Sequence, residues 1–139
     1  FNWGIIMAWA AVNNSISTEI IILYVSAIFW TLGYDTIYGA QDMSEDEIIG
    51  VKSTALKFKK NIKLFVSINF LISFILLLIF FYNSFINNLS SLFILFFFLS
   101  LVCQVYIFDK KKPLKCLYAF KINNLSGLFL FLGIVLNSF

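Results

Sequence analysis

Carboxylates are concentrated in one stretch of an otherwise apolar chain. Five of the seven acidic residues fall within YDTIYGAQDMSEDEIIGVKSTALKF, residues 34–58, which we name the acidic segment. On a continuous helix, at about 100° per residue, Asp35, Asp42 and Asp46 would share a stripe roughly 40° wide. Carboxylates on one helix face repel one another, and a hard divalent cation reverses the sign of that interaction. The spacing therefore predicts a cation site, and Mg²⁺ suits it because Mg²⁺ is commonly held by one or two carboxylates together with phosphate oxygens.

A lysine and a capping pattern in the same segment favour two different interpretations. Lys52 is a natural point-charge partner for a phosphate oxygen, so the segment as a whole predicts a site for a metal-bound diphosphate. Alternatively, Ser44 and Glu47 form a capping box, with Ser44 as the N-cap of a new helix in a solvated loop. The single stripe would then be broken, although Asp42 and Asp46 would remain neighbours. Asp35 favours the functional interpretation, because a carboxylate near the end of an apolar span is commonly functional.

The elements that carry these residues have the composition of a membrane protein. Of the 139 residues, 61% are hydrophobic and 12% charged, whereas soluble domains are about 25% charged. Since a spanning helix needs about 20 apolar residues, the sequence predicts an all-α polytopic transmembrane bundle with four full spans and one truncated span. The predicted spans are about 1–12, 19–38, 64–82, 89–108 and 116–138. Because the first span begins part-way and position 1 is Phe, we expect a fragment whose N-terminal part is missing.

The lysines provide an independent test of this topology. All ten fall in or beside the connectors 39–63 and 109–115, which share one side of the bilayer if every predicted span crosses it. The positive-inside rule makes that side, and the acidic segment with it, cytoplasmic or matrix. The basic stretches lack the aromatic platform of a nucleic-acid site, and anionic headgroups of the lipid bilayer explain them better. The chain has no His, and its two cysteines alone cannot form a zinc site.

Several segments resemble the UbiA family of membrane prenyltransferases, and most closely its 4-hydroxybenzoate polyprenyltransferases. The central likeness is to the family's second aspartate-rich motif, which reads much like YDTxYAxxDxxDDxxIGxKSTAxxF. The similar stretches of this chain are YDTIYGAQD followed by IGVKSTALKF, the upstream FNWGIIMAWAAV, and, near the end, Gln104, DKKKP and CLYAFKINNLSGLFLF. The likeness covers nearly the whole chain. It implies that the chain is the C-terminal part of a nine-helix domain.

The resemblance also implies a reaction and the residues that perform it. The family transfers a polyprenyl group from polyprenyl diphosphate to an aromatic ring, here that of 4-hydroxybenzoate in ubiquinone synthesis, and uses Mg²⁺. Asp42 and Asp46 match its metal-binding acids, and Asp35 matches the acid that opens the motif. Lys52 matches a diphosphate contact and a catalytic role. We also expect substrate contacts from Ser53 and from the aromatics Tyr34 and Tyr38, which together with Trp30 could face the allylic cation or simply pack.

Departures from the family pattern limit what this chain would do alone. Gly39 stands where Ala is usual, and Glu45 stands where a second Asp is common; neither change removes a motif acid. In contrast, no first aspartate-rich motif of the NDxxDxxxD type occurs in these residues. We therefore expect the fragment by itself to be inactive. The expected location is the bacterial cytoplasmic membrane, with the mitochondrial inner membrane as the alternative.

Two other functions are compatible with parts of the sequence. One is another aromatic prenyltransferase of the same family; the KSTALKF ending of the motif argues against the haem and chlorophyll branches. The other is a non-enzymatic polytopic protein or transporter. Against it, Glu19 and Asp35 lie near opposite ends of one predicted span, so they form no central relay.

Overall fold

The computed structural model describes residues 2–82 and 88–137, and this part of the chain is built from helices. In chain order they are α1 (Trp3–Asn13), α2 (Thr18–Gly39), α3 (Met43–Ile49), α4 (Thr54–Lys57), α5 (Ile62–Phe81), α6 (Asn88–Ile107) and α7 (Pro113–Asn137). No strand occurs within these two ranges. The predicted all-α class is therefore confirmed.

Four helices, α2, α5, α6 and α7, are long and apolar enough to cross a membrane. This agrees with the four predicted full spans, and α1, with 11 residues, rises only about 16 Å. The last span begins earlier than predicted, at Pro113, because the fixed φ of proline suits the first position of a helix. Residues 83–87 of the predicted connector 83–88 lie outside the described residues. So does residue 138, the predicted end of the last span.

The long helices pack as two pairs, α2 with α5 and α6 with α7, and α2 also contacts α7. In the first pair, Ser26 Oγ donates to the carbonyl oxygen of Ser73 at 2.8 Å. In the second, Ser126 Oγ accepts from Ser100 Oγ at 2.7 Å and from Gln104 Nε2 at 2.8 Å. Helices in lipid associate through close packing at small residues and through such interhelical hydrogen bonds. The polar side chains of the spans therefore hold the bundle together.

A contact between the two lysine-rich connectors fixes which ends of the spans lie together. Lys110 Nζ, after α6, donates to the carbonyl oxygen of Lys59, before α5, at 2.8 Å. The end of α6 and the start of α5 therefore lie at the same end of the bundle, as the lysine distribution predicts. We name this end the lysine-bearing end. The acidic segment lies there too, since it joins α2 to α5.

Candidate active site

The helix that carries Asp35 stops before the other two motif acids. α2 ends at Gly39 and α3 begins at Met43. The N–H of Ala40 donates to Thr36 at 3.1 Å, and that of Gln41 to Tyr38 at 3.0 Å, which closes the last turn. The continuous helix considered from the sequence is thus wrong. The stripe of three acids on one helix face does not form, because a break separates Asp35 from the other two.

Asp42 is the N-cap residue, immediately before the first residue of α3. Its carbonyl oxygen accepts from the N–H groups of Glu45 at 3.0 Å and Asp46 at 2.9 Å. The capping box at Ser44 is therefore also wrong, because Ser44 already lies inside the first turn. Although Asp is a favoured N-cap, the carboxylate of Asp42 makes no capping hydrogen bond. Asp42 and Asp46 thus bracket one helical turn, both half-buried, and neither carboxylate is bonded to another described residue.

A turn at Gly50 connects α3 to the motif lysine, Lys52. Gly50 has a φ of +79°, the left-handed conformation that glycine adopts without steric cost. The N–H groups of Gly50 and Val51 both donate to the carbonyl oxygen of Asp46 at 3.0 Å. Asp46 is therefore held by its backbone at both ends of this short helix, which leaves its carboxylate free, and the exposed Lys52 follows directly.

The short helix α4 anchors the motif against α2. Ser53 Oγ caps α4 by accepting from the N–H of Leu56 at 3.3 Å, so its own O–H remains available to donate. Thr36 and Thr54 are joined by a hydrogen bond of 3.0 Å between their hydroxyl oxygens. A Cβ added at Gly39 would lie 3.6 Å from Ala55 Cβ, an ordinary contact. The site therefore has room for the alanine that the family resemblance leads one to expect there.

An open cleft of about 540 Å³ surrounds the motif lysine. Besides Lys52, Ser53 and Thr54, it is lined by Lys57, an exposed residue of α4. Two ammonium groups and two hydroxyls are donors that suit phosphate oxygens. Sequence reasoning did not single out Lys57. The one sequence feature that could have identified Lys57 is its spacing of five residues from Lys52. That spacing places both lysines on one cleft only because of the turn and α4 between them.

The motif acids do not form a complete set of metal ligands among the described residues. In residues 2–82 and 88–137, no three His, Cys, Asp or Glu side chains come together as a ligand set, and Asp35 is exposed on α2. Two carboxylates on one turn, without a competing cation, nevertheless fit an ion whose other ligands are water and phosphate oxygens. Gln41, in the helix break, has a buried Oε1 without a hydrogen-bond partner in the described chain. Sequence reasoning missed this third candidate oxygen ligand, because nothing in the sequence marked the helix break.

Three aromatic residues form a ladder along one face of α2. Trp30 and Tyr34 lie edge to face at 5.9 Å between ring centroids, and the rings of Tyr34 and Tyr38 lie 6.1 and 4.9 Å from that of Phe120 in α7. Trp30 Nε1 also donates to Asn123 Oδ1 at 2.9 Å. These contacts account for the rings as interhelical packing. Trp30 and Tyr34 also line an internal cavity of about 220 Å³.

Comparison with known proteins identifies the family of this chain. A profile of the UbiA prenyltransferase family matches residues 1–132, nearly the whole chain. The chain belongs to the UbiA prenyltransferase family. It is 38% identical over 146 residues to the mitochondrial 4-hydroxybenzoate polyprenyltransferase of Bos taurus, covering 99% of this chain and 38% of the relative. It is 37% identical over 142 residues to the 4-hydroxybenzoate octaprenyltransferase of Serratia proteamaculans, covering 99% of this chain and 47% of the relative.

A further relative is more similar over a shorter stretch. The mitochondrial 4-hydroxybenzoate polyprenyltransferase of Arabidopsis thaliana is 51% identical over 67 residues, which cover 48% of this chain and 16% of the relative. No solved structure matches the chain. The UbiA-family chain thus spans less than half the length of these curated relatives.

Proposed function

We propose that this chain contributes the second metal and diphosphate motif of a membrane enzyme that transfers a polyprenyl group from its diphosphate to the ring of 4-hydroxybenzoate. The observation that carries the proposal is the pair Asp42 and Asp46 on one turn of α3, unpaired and followed by the lysine-lined cleft. The names of the relatives over 99% of the chain support the acceptor and the prenyl donor. Magnesium is the proposed ion, because the two carboxylates are hard oxygen ligands.

In this proposal each motif residue handles the charge of the diphosphate. A bound Mg²⁺ would neutralise charge on the leaving diphosphate. Asp42 and Asp46 would hold that ion, and Lys52 and Lys57, which line one cleft, would contact phosphate oxygens. Ser53 would donate its O–H to the same group while still capping α4. Asp35 would act from α2 as an outer partner of the diphosphate site.

The aromatic ladder would contribute to the apolar part of the reaction. As the diphosphate leaves, the allylic carbon becomes cation-like, and an aromatic face within about 6 Å attracts a cation. Tyr34 and Tyr38 lie on the last two turns of α2, toward the motif. We propose that their rings and that of Trp30 exclude water there. The acceptor ring would then attack through the carbon beside its hydroxyl. The allylic carbon–oxygen bond to diphosphate breaks, the bond from the ring carbon to the prenyl group forms, and that ring carbon releases its proton to water, which restores aromaticity.

The test compares acid substitutions in the intact gene product, assayed in membranes for prenylation of 4-hydroxybenzoate. Loss of one metal ligand removes several kcal/mol of charge stabilisation, so Asp42→Asn and Asp46→Asn should each lower kcat/KM by about a hundredfold or more. Glu19→Gln, an equal charge change at an exposed acid in the first turn of α2, far from the motif, is the matched control and should lie within about threefold of wild type. Chelation should abolish the activity, and added Mg²⁺ should restore it.

Two results would contradict the proposal. Near-normal turnover in both Asp variants would remove the metal assignment. Mg²⁺-dependent prenylation by the 139 residues alone would show that no further acidic motif is needed, whereas we propose that this piece is inactive by itself. The proposed location is the bacterial cytoplasmic or mitochondrial inner membrane, with the motif on the cytoplasmic or matrix side.

A further inference from the structure

A second basic cleft lies at the lysine-bearing end, with its own set of residues. It has a volume of about 510 Å³ and lies between the start of α5 and the α6–α7 connector. Four of the residues that line it are lysines, Lys60, Lys63, Lys110 and Lys115, and one is an acid, Asp109. One carboxylate oxygen of this aspartate is already hydrogen-bonded, since Asp109 Oδ1 accepts from the N–H of Lys111 at 3.1 Å. The cleft therefore has an excess of positive charge that no described residue neutralises.

An apolar groove continues from this cleft along the spans. The groove, of about 470 Å³, runs between α5 and α6 and shares Lys63 and Tyr106 with the basic cleft. Its floor contains the buried Phe70 and Leu101, and its rim contains the exposed Leu71 and Val102. The groove exists because α5 packs mainly on α2 and α6 mainly on α7, so the facing sides of α5 and α6 contact each other little.

The groove is long enough for the first part of a lipid chain that starts at the membrane surface. From Lys63 to Leu71 the α5 axis rises about 12 Å, at 1.5 Å per residue. Toward the middle of the spans the groove ends at Phe98, whose ring stacks on that of Phe74 at 4.4 Å between centroids. A ligand with an anionic head at the lysines and a hydrocarbon chain along α5 and α6 would fit both the basic cleft and the apolar groove.

We propose that this combined cleft and groove is a binding site for one anionic glycerophospholipid. Lysines next to a span attract anionic headgroups, and here they border the open apolar groove between α5 and α6. A prenyl diphosphate fits less well, because its greater charge calls for a metal ion, and Asp109 is the one carboxylate lining this cleft. The paired acids Asp42 and Asp46 line neither the cleft nor the groove.

The headgroup part is tested with two double variants of equal charge. Lys63→Ala/Lys115→Ala removes two lining ammonium groups, neither of which bonds to another described residue. Lys111→Ala/Lys112→Ala removes two lysines of the same connector that do not line the cleft. Lys110 is kept, because its Nζ holds the Lys59 carbonyl. The purified gene product is titrated in detergent with phosphatidylglycerol and with phosphatidylcholine, and bound lipids are counted by native mass spectrometry.

We expect one tightly retained phosphatidylglycerol for each wild-type chain. At roughly fivefold in affinity per lysine near the surface, Lys63→Ala/Lys115→Ala should weaken its binding by about thirtyfold. The control pair should change it by less than about threefold, because those lysines act only through the screened surface potential. Equal weakening by both pairs, or equal affinity for phosphatidylcholine in wild type, would overturn the proposal in favour of diffuse attraction.

The groove is tested independently of charge. Val102→Phe fills the rim, whereas Leu99→Phe adds a ring at a similarly exposed position of α6 that does not line the groove; the two residues are 49% and 51% exposed. We expect phosphatidylglycerol binding to fall at least tenfold in the first variant only. Unchanged binding in both variants would overturn the groove as the chain site. Displacement of the lipid by geranyl diphosphate at lower concentrations would assign the site to substrate instead and would equally overturn the proposal.

Discussion

The close approach of α2 and α5 at Gly33 yields a stability prediction that can be worked from distances. A Cβ added there would lie 2.6 Å from Phe70 Cδ1 and closer still to Cε1, whereas carbon atoms in contact prefer about 3.5–4.0 Å. Phe70 is only 4% exposed and belongs to the core. Its ring therefore has little space to withdraw, and Gly33→Ala must push α5 away from α2.

The expected size follows from two opposing effects. Overpacking a core costs about 1–3 kcal/mol, while replacing a helical glycine by alanine gains about 1 kcal/mol of helix propensity. Gly127→Ala is the matched control, since its Cβ would lie at an ordinary 3.6 Å from Trp30 Cη2. The propensity gain cancels in the comparison, so Gly33→Ala should have an unfolding free energy about 1–3 kcal/mol lower than Gly127→Ala.

Reversible unfolding in mixed micelles with increasing SDS, followed by far-UV circular dichroism, measures this difference. Phe70→Leu shortens the obstructing side chain, so the double variant Gly33→Ala/Phe70→Leu should be more stable than the sum of the single effects. A coupling of about 1 kcal/mol is expected for two groups in direct contact. Equal stability of Gly33→Ala and Gly127→Ala, or strict additivity with Phe70→Leu, would refute the close packing of α2 on α5.

Two further substitutions test local features of the bundle and the motif. Ser126→Ala removes the shared acceptor of Ser100 and Gln104. It should lower the unfolding free energy by about 1–3 kcal/mol, because the buried Gln104 Nε2 loses its acceptor, whereas Ser100 Oγ still has the carbonyl oxygen of Phe97. Adding Gln104→Leu should recover part of the loss, and no effect of Ser126→Ala would show that the network is dispensable. Gly50→Ala places a side chain at φ +79° and should cost about 1–2 kcal/mol. The cost should appear as faster hydrogen exchange at the amides of residues 50 and 51, which donate to the Asp46 carbonyl. Gly4→Ala, with nothing within 4 Å of the added Cβ, is the control, and equal exchange in both variants would contradict the strained turn.

The spans could be predicted from the sequence, but the pairing of the helices could not. Runs of apolar residues located α2, α5, α6 and α7 to within a few positions, and the lysines indicated which ends lie together. Pairing depends on small and polar residues such as Ser26 and Ser126. In lipid both the interior and the outer faces of a helix are apolar, so hydropathy gives no periodic signal for the faces that meet.

The candidate site was predictable in residue type but not in backbone path. Asp42 and Ser44 are both good N-cap residues, and only the carbonyl of Asp42, which accepts from Glu45 and Asp46, decides between them. The 100° rotation that aligned Asp35 with Asp42 holds only where the helix is unbroken. Gln41 and Lys57 were missed for the same reason, because their positions depend on the break and on α4.

The pattern of ion pairs in the acidic segment itself argues for a ligand. In the described parts of the chain, Lys59 pairs with Glu47 as the only salt bridge, an exposed contact of small energetic value. Ten lysines gather at this end of the bundle, yet none pairs with Asp42 or Asp46. Half-buried carboxylates on one turn repel each other by a few tenths of a kcal/mol. Both acids are therefore free to bind a cation, as the proposed function requires.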